Sequence, residues 1–545
     1  MSSRRARAAA AAGRAPRRAA DWTRREFLRR AGWSLSALAA WPRLAPAAPL
    51  PEAAPPPPPP RRPLVVVVVG AGLAGLAAAY ELTALGHAVT VLEARDRPGG
   101  RVHTLREPFG DGLYAEAGAI GFSDSHPHFG RYIKVFNLPT APPPASRLAV
   151  VHHLRGKRLL VAPGAAGAAT AWPYALTAEE VKLGKDGMFE KYFAPVDKIG
   201  DPTRPGWRLA PWQDLDRLTL AELLRRQGAS SEAVALLGAT AWFGYGWGEV
   251  SALHRLLSDL ALFYLGQRSR VLPGGTDRLP QAFASALGGR IRYAAAVTRI
   301  VHEAGAVRVV FRQQGSEQSL AADRLICAVP CPALRRIRFG PELPESRRRI
   351  LERLDYNPVT RVYLQVKRRF WLDGGVAGNA FTDLPIQLVS EHPFARPADQ
   401  DAGAAARRGI LECHVKGPAA VRLAEMDDAS RLALAVDHLE QVHPGFRKLY
   451  ETGASVSWGS DPWAGGGYAW WKPGQLTEWM PELATPVGRV HFAGEHTSLL
   501  ARTMEGALES GNRAAREVHL APRPASPLRE GDLRRRDSGG GARWS

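Results

Sequence analysis

The chain has 545 residues, 45% of them hydrophobic, which is enough for two or three core-forming units and too much for a single small fold. Its formal charge is +20, but residues 1–62 contribute +10 and residues 521–545 another +3, leaving +7 on the span between them. That mild excess suits a protein that receives anionic phosphates and argues against a nucleic-acid surface as the main function. Cys327, Cys331 and Cys413 are too few and too irregularly spaced for a disulfide framework or a zinc site. They read as buried thiols, and no metal site is expected.

In chain order, Thr23-Arg24-Arg25-Glu26-Phe27-Leu28 comes first, then a modestly apolar stretch over 31–41 and the small-residue site Ala45-Pro46-Ala47. Residues 1–47 therefore resemble a twin-arginine export signal. Their apolar part is too short and interrupted for a transmembrane helix. The expectation is export of an already folded protein by the twin-arginine translocation machinery, to a periplasmic or secreted location. The alternative is a disordered basic arm. Residues 48–63, with six prolines at 55–60, read as an extended linker.

The β-branched run at 64–69 suits a parallel strand buried on both faces. Gly70, Ala71, Gly72 and Gly75 follow at once. The first glycine permits a tight turn, the second lets backbone approach a pyrophosphate, and the third lets the next helix pack closely on the sheet. That helix is expected over 73–85, with Gly86 as its C-terminal cap and its N-terminus aimed at phosphate. A second strand, 88–92, delivers Glu93, 23 positions after Gly70. About 20 is expected for a carboxylate that holds ribose hydroxyls, so an adenosine with a free 2′-hydroxyl is favoured.

From Glu93, Ala94 and Arg95 the chain runs to Gly99-Gly100-Arg101. This ExxxxxGGR pattern resembles the second signature of the FAD-containing amine oxidases, a family that includes monoamine, polyamine and L-amino-acid oxidases. The resemblance implies that Gly99 and Gly100 bring backbone N–H groups to FAD while Arg101 lies near its phosphates. It also implies an α/β fold, with a Rossmann-like FAD-binding domain of the GR2 type and a discontinuous, inserted α+β substrate domain. The FAD domain would take 64–125, 266–330 and 480–520, and the substrate domain 126–265 and 331–479. Residues 521–545, rich in Pro, Gly and Arg without apolar periodicity, read as a disordered basic tail.

Ala115-Glu116-Ala117-Gly118 resembles the family segment that passes near the flavin. L-amino-acid oxidases place a carboxylate-binding arginine shortly after it, and here that position is Gly121. Residues 126–264 look largely helical, with candidate segments at 178–183, 220–227, 231–237 and 251–265. Thr219 is the expected N-cap of the second, paired with Glu222. Trp242, Phe243, Tyr245 and Trp247 read as core or as the lining of a substrate funnel. The strand 291–300 carries Val297, whose family counterpart contacts FAD, and strands at 307–311 and 324–329 are expected to complete the sheet. Further on, Thr360-Arg361-Val362-Tyr363 puts Arg361 where the family has a lysine bonded through water to flavin N5. A guanidinium cannot readily lose a proton, so a role there is electrostatic and positional; the alternative is a solvated strand-edge arginine.

Near the C-terminus, Gly467-Tyr468-Ala469-Trp470-Trp471 resembles the segment that brings an aromatic cage to the flavin. Tyr468 matches one wall, and Gly467 stands where monoamine oxidases attach the flavin through cysteine, implying noncovalent FAD. Gly494-Glu495-His496 resembles a segment whose acid contacts the cofactor, and Met504 opens the last helix beneath it. Thr503 stands at the second cage wall, a place that Trp470 or Trp471 could fill instead. The implied reaction is oxidation of an amine or L-amino acid by hydride transfer to flavin N5. Imine hydrolysis follows, and oxygen or another acceptor reoxidises the flavin, with peroxide formed from oxygen. Two other readings remain at this level: conversion of an amino acid to an amide, as in tryptophan 2-monooxygenase, and a non-catalytic FAD-binding protein.

Overall fold

Five consecutive valines can be buried on both faces only inside a sheet with a neighbour on each side. Val65–Val69 occupies that place in the computed structural model, at the centre of five parallel strands. Their order is Val490–Phe492, Arg324–Cys327, Val65–Val69, Ala88–Leu92 and Ile291–Arg292. The structure describes residues 63–522 apart from 124–125, 144–147, 163–169, 201, 203–206, 242–245, 260–268, 304 and 393–405. The export signal, all of the linker but Pro63, the tail from 523, and Trp242, Phe243 and Tyr245 lie outside the described residues.

The helix Leu73–Ala84 follows the first strand and covers the sheet with Leu73, Leu76, Ala77, Ala78 and Leu82. Its approach is set by Gly75, where a Cβ would lie 1.9 Å from the carbonyl oxygen of Gly70. The last helix, Met504–Leu520, crosses it equally closely, since a Cβ on Gly511 would lie 2.2 Å from the Ala74 oxygen. Gly86, at φ +83, turns the chain off the first helix into Ala88–Leu92.

The sequence places 291–300, 307–311 and 324–329 in one sheet, and the structure corrects this. Ile291–Arg292 and Arg324–Cys327 do join the parallel sheet, at separate positions within it. Ala296–His302 and Val307–Gln313 instead belong to an antiparallel sheet with Ser316–Ala322, to which Arg338–Gly340 adds in parallel. The reason is local. Gln314 and Gly315 both take positive φ, +50° and +77°, the conformation of a tight hairpin turn, so Val307–Gln313 folds back on its neighbour.

Between these pieces lie the helices Ala178–Tyr192, Leu220–Arg226, Ser231–Ala239 and Ala252–Asp259. The first outruns the expected stop at 183 because the chain kinks at Gly184 (φ +63) and then resumes. Thr219 and Glu222 form a reciprocal cap: the Glu222 N–H donates to the Thr219 hydroxyl at 3.1 Å and the Thr219 N–H to the Glu222 carboxylate at 2.8 Å.

A seven-stranded sheet makes the second layer. It runs Tyr450–Ser457, Val359–Val366, Gly409–Lys416, Leu388–Glu391, Val376–Thr382, Ala149–Leu154, Lys157–Val161. Its two faces differ sharply. Val362, Leu364, Val366, Leu411, Cys413 and Val415 pack under the helix Asp428–Val442. The register pairs Arg361 with His414, Tyr363 with Glu412 and Glu412 with Ser390, so polar side chains share the opposite face.

The close crossing at Gly511 yields a stability test. Gly511→Ala should lower unfolding free energy by roughly 3 kcal/mol through overpacking against backbone. Gly130→Ala, with nothing within 4 Å of the new Cβ and a helical position in Pro127–Val135, should stabilise by about 0.5–1 kcal/mol. Thermal and denaturant unfolding of the two variants checks the contrast.

Candidate functional site

The first glycine turn is built as a cradle. Gly70 takes φ +100, with Ala328 and Val329 crowding behind it, whereas a Cβ on Gly72 would meet nothing within 4 Å. Gly72 is also the N-cap of Leu73–Ala84, with no side chain satisfying the first N–H groups and no acid in the first turn. An open space at a helix N-terminus with its donors uncapped is suited to a phosphate group. Glu93 stands at the end of the adjacent strand. Its carboxylate accepts from the N–H of Ala71 at 2.6 Å and of Arg95 at 2.9 Å. Burial raises its pKa, against the opposing pull of those N–H groups and of Arg95 and Arg97.

The Gly99-Gly100-Arg101 segment folds onto this turn. The Gly99 N–H donates to Ala71 O at 2.8 Å, and Gly99 and Gly100 both take positive φ, at +101° and +57°. Arg95 pairs with Asp461 at 2.6 Å. Arg101 donates to Gly467 O and to the Glu495 carboxylate, each at 3.0 Å. Glu495 also accepts from the N–H of Ala469 at 3.1 Å and of Arg502 at 2.9 Å. Burial alone would raise the Glu495 pKa, but Arg101, His496 and the Arg502 N–H outweigh it and hold the carboxyl below its ordinary value. Gly494 reaches φ +132, and its N–H donates to Ser510 at 2.9 Å. Met504 is buried as the first residue of the last helix.

Glu116 joins this half of the site to the polar face of the seven-stranded sheet. Its carboxylate accepts from the Thr276 N–H at 2.7 Å and the Thr104 hydroxyl at 2.8 Å, and burial pushes its pKa up to about 7. Its carbonyl accepts from Arg361 at 2.9 Å and from the Tyr363 hydroxyl at 2.5 Å. Gly118 comes closer still, since a Cβ there would lie 1.7 Å from Arg101 O. Arg361 is therefore neither solvated nor at an edge. It lies on an inner strand, buried, with Nε 3.4 Å from Glu412 Oε1.

Around it lie groups that the sequence reading did not select, Glu412, His414, Lys416 and His392, all buried, and His254 is buried under the influence of Arg502 and Arg255. Both oxygens of Glu412 and both nitrogens of His414 lack a hydrogen-bond partner. Burial, then the charges of Arg361 and Arg502, push Lys416 down to about 7; Glu412 pulls the other way and Arg255 adds to the depression. The same burial keeps His254, His392 and His414 neutral at ordinary pH. Alternation of apolar and polar residues in Ile410–Lys416 could have signalled this face, because Glu412, His414 and Lys416 fall at a spacing of two.

The pattern that describes flavin-containing amine oxidoreductases matches residues 73–519, a span that opens at the helix after the first glycine turn and takes in Glu93, Arg101, Glu116, the polar sheet face and Glu495. The chain belongs to this family. YobN of Bacillus subtilis (strain 168), provisionally named an L-amino-acid oxidase, is 32% identical over 477 residues, covering 83% of this chain and 94% of YobN. An L-amino-acid oxidase of Protobothrops flavoviridis is 29% identical over 467 residues, covering 83% and 88%. Two solved structures share the fold at 24% identity. Putrescine oxidase bound to putrescine covers 84% of this chain and 100% of its own (TM-score 0.69). Cyclohexylamine oxidase of Brevibacterium oxydans IH-35A covers 84% and 99% (TM-score 0.68).

This amine oxidoreductase is an FAD-dependent enzyme, and the open cradle at Gly72, the uncapped helix and Glu93 fit the cofactor's adenosine and phosphate end. Val297 lies half-buried at a bulge in the antiparallel sheet, and Ala94 is half-buried beside Glu93. The remaining expected positions divide. Tyr468 is half-buried, its hydroxyl accepting from Asn357 at 2.7 Å. Trp470 and Trp471 are buried in the main core cluster with Trp247, and Tyr468 packs against that same cluster. Thr503 is the N-cap of the last helix: its hydroxyl accepts from the Gly506 N–H at 2.9 Å and donates to Leu500 O at 2.6 Å. The side chain that does cover Tyr468 is Arg502, with its guanidinium carbon 4.7 Å from the ring centroid. Gly121 is exposed, and a Cβ there would press to 3.0 Å on the Arg270 carbonyl oxygen.

Removing one partner of a buried pair leaves the other charge unneutralised. Glu495→Gln should therefore cost about 3 kcal/mol of stability by stranding Arg101, and should release FAD. Flavin absorbance per polypeptide after gel filtration, alongside thermal unfolding, checks both effects.

Proposed function

We propose that this FAD-dependent enzyme is an oxidase of L-amino acids or closely related amines, with noncovalent cofactor and molecular oxygen as acceptor. The observation that carries this reading is the polar sheet face, where buried Arg361, Glu412, His414 and Lys416 share one side of two paired strands and the charge of Arg502 reaches Lys416. The names of the relatives from Bacillus subtilis and Protobothrops flavoviridis support the amino-acid class.

FAD, held at the glycine cradle and Glu93, would supply a two-electron acceptor for the hydride of the substrate's amine-bearing carbon, with oxygen as the final oxidant and peroxide as its product. The rest is the work of this chain. Tyr468 offers an electron-rich wall against which a neutral amine can be oriented and from which water is excluded. The amine must first lose its ammonium proton, and Lys416 Nζ, with a pKa of about 7, is partly neutral at physiological pH and suited to take it. Arg361, charged throughout and anchored to the Glu116 carbonyl, holds Glu412 in place and keeps Lys416 acidic. Gly467 provides no side chain for a covalent flavin bond.

If Lys416 is the proton acceptor, kcat/KM rises as pH increases through about 7, because the neutral amine is the active form. Lys416→Met should remove that limb and leave only the rise from the substrate's own ammonium at higher pH. A pH profile of both proteins with one substrate, together with product mass, is the test. An oxo acid or aldehyde with peroxide supports the oxidase, whereas an amide product or an unchanged limb overturns the corresponding part.

The export reading is likewise a proposal, supported by Arg24-Arg25 before an apolar stretch and a small-residue site. Arg24→Lys with Arg25→Lys should trap the folded, FAD-loaded protein in the cytoplasm. Cell fractionation with unchanged export would sink it.

A further inference from the structure

Hydrogen-bonding capacity is left unmet at one spot on the seven-stranded sheet. Glu412 lies directly opposite Ser390 on one neighbouring strand, and His414 directly opposite Arg361 on the other, so the four side chains share one face. All four are buried. Yet Arg361 Nε, both oxygens of Glu412, both nitrogens of His414 and Ser390 Oγ have no hydrogen-bond partner in the polypeptide. The nearest approaches, 3.4 Å from Arg361 Nε and 3.7 Å from His414 Nδ1 to Glu412 Oε1, do not make hydrogen bonds.

Buried groups of this kind are normally paired, and six such atoms on three adjacent strands point to a polar occupant. The cluster is also tied to the cofactor turn. Arg361 donates to Glu116 O at 2.9 Å, and two residues further on the Gly118 backbone lies against Arg101, where a Cβ would come 1.7 Å from the carbonyl oxygen. Charge and hydrogen-bond inventory restrict what can sit there. Arg361 and Glu412 neutralise one another, so a further cation or anion would be left uncompensated in a buried site. An aliphatic group would satisfy none of the six atoms. A primary carboxamide offers two N–H donors to Glu412 and His414, and a carbonyl oxygen to Arg361 Nε–H and the Ser390 hydroxyl.

We propose that this cluster is the side-chain subsite of an α-amino acid substrate and that it selects a neutral carboxamide, as in asparagine and glutamine. The proposal rests on the amino-acid reading of the site and deepens it. It gives Ser390 and His414, which no step of the reaction uses, a part in choosing the substrate.

FAD-loaded enzyme should show kcat/KM for L-glutamine about 100-fold above that for L-methionine, L-glutamate or L-lysine, which present apolar, anionic and cationic side chains. Ser390→Ala should cut the glutamine-to-methionine ratio about 10-fold, chiefly through KM for glutamine. Its thermal midpoint without ligand should hold or rise, because a buried hydroxyl with no partner is removed. A serine with a purely structural role would lower the midpoint and leave the ratio as it was. Glu412→Leu should abolish the preference, but it also strands Arg361, so Ser390→Ala carries the test. Binding without turnover is read from the flavin visible spectrum, with glutaramate, which lacks the amine, and its apolar and anionic counterparts 5-methylhexanoate and glutarate. Glutaramate should bind about 30-fold more tightly than either, and Ser390→Ala should narrow that gap. Equal kcat/KM for glutamine and methionine, no saturable glutaramate binding, equal affinity for the three acids, or an unchanged ratio in Ser390→Ala would each overturn the proposal and leave the cluster to ordered water. If no amino acid bleaches the wild-type flavin, the oxidase reading fails separately, and the glutaramate titration still decides this one.

Discussion

A buried carboxylate holds the two ends of the site together. Glu495 gathers Arg101 from the first fifth of the chain, the Ala469 N–H from the aromatic segment, and the Arg502 N–H before the last helix. Left unpaired, such a group would protonate or pull in water. With Arg101 against it, it stays ionised and fixes the relative positions of the cofactor turn, Tyr468 and Arg502. The cofactor turn and the aromatic segment are thereby tied to one ion pair.

Glu116 plays a complementary part on the other side. Its carboxylate is satisfied by Thr104 and Thr276, its carbonyl by Arg361 and Tyr363, and its N–H donates to His392. One residue thus links the Gly99-Gly100-Arg101 segment, through the close approach at Gly118, to the polar face of the seven-stranded sheet. The substitution of arginine for the family's lysine at 361 is intelligible in that setting. A permanently charged fork can hold a carbonyl and a carboxylate at once. On the neighbouring strand, burial and the charges of Arg361 and Arg502 push Lys416 down to about 7.

Positions 121, 361 and 503, where the sequence departs from the pattern it resembles, each have a local structural part. A Cβ at Gly121 would press on the Arg270 carbonyl, Arg361 is held between the Glu116 carbonyl and Glu412, and Thr503 caps the last helix.

What the sequence by itself determined is the cofactor half. Strand, glycine turn, helix, strand and Glu93 follow one another within thirty residues, and each contact there, such as Glu93 with Ala71 or Gly99 with Ala71, is set by local spacing. The separate antiparallel sheet was less legible, since two residues at positive φ, Gln314 and Gly315, outweighed a strand pattern that suits either sheet. The other half of the site was decided only by tertiary structure. Arg361 faces His414 across a sheet register, Arg502 meets Tyr468 across a loop, and Glu116 meets Arg361 from 245 positions away. A linear pattern records which side chains are polar. Which of them are enclosed together, and so have their charges and proton affinities altered, depends on burial that exists only once distant segments have packed.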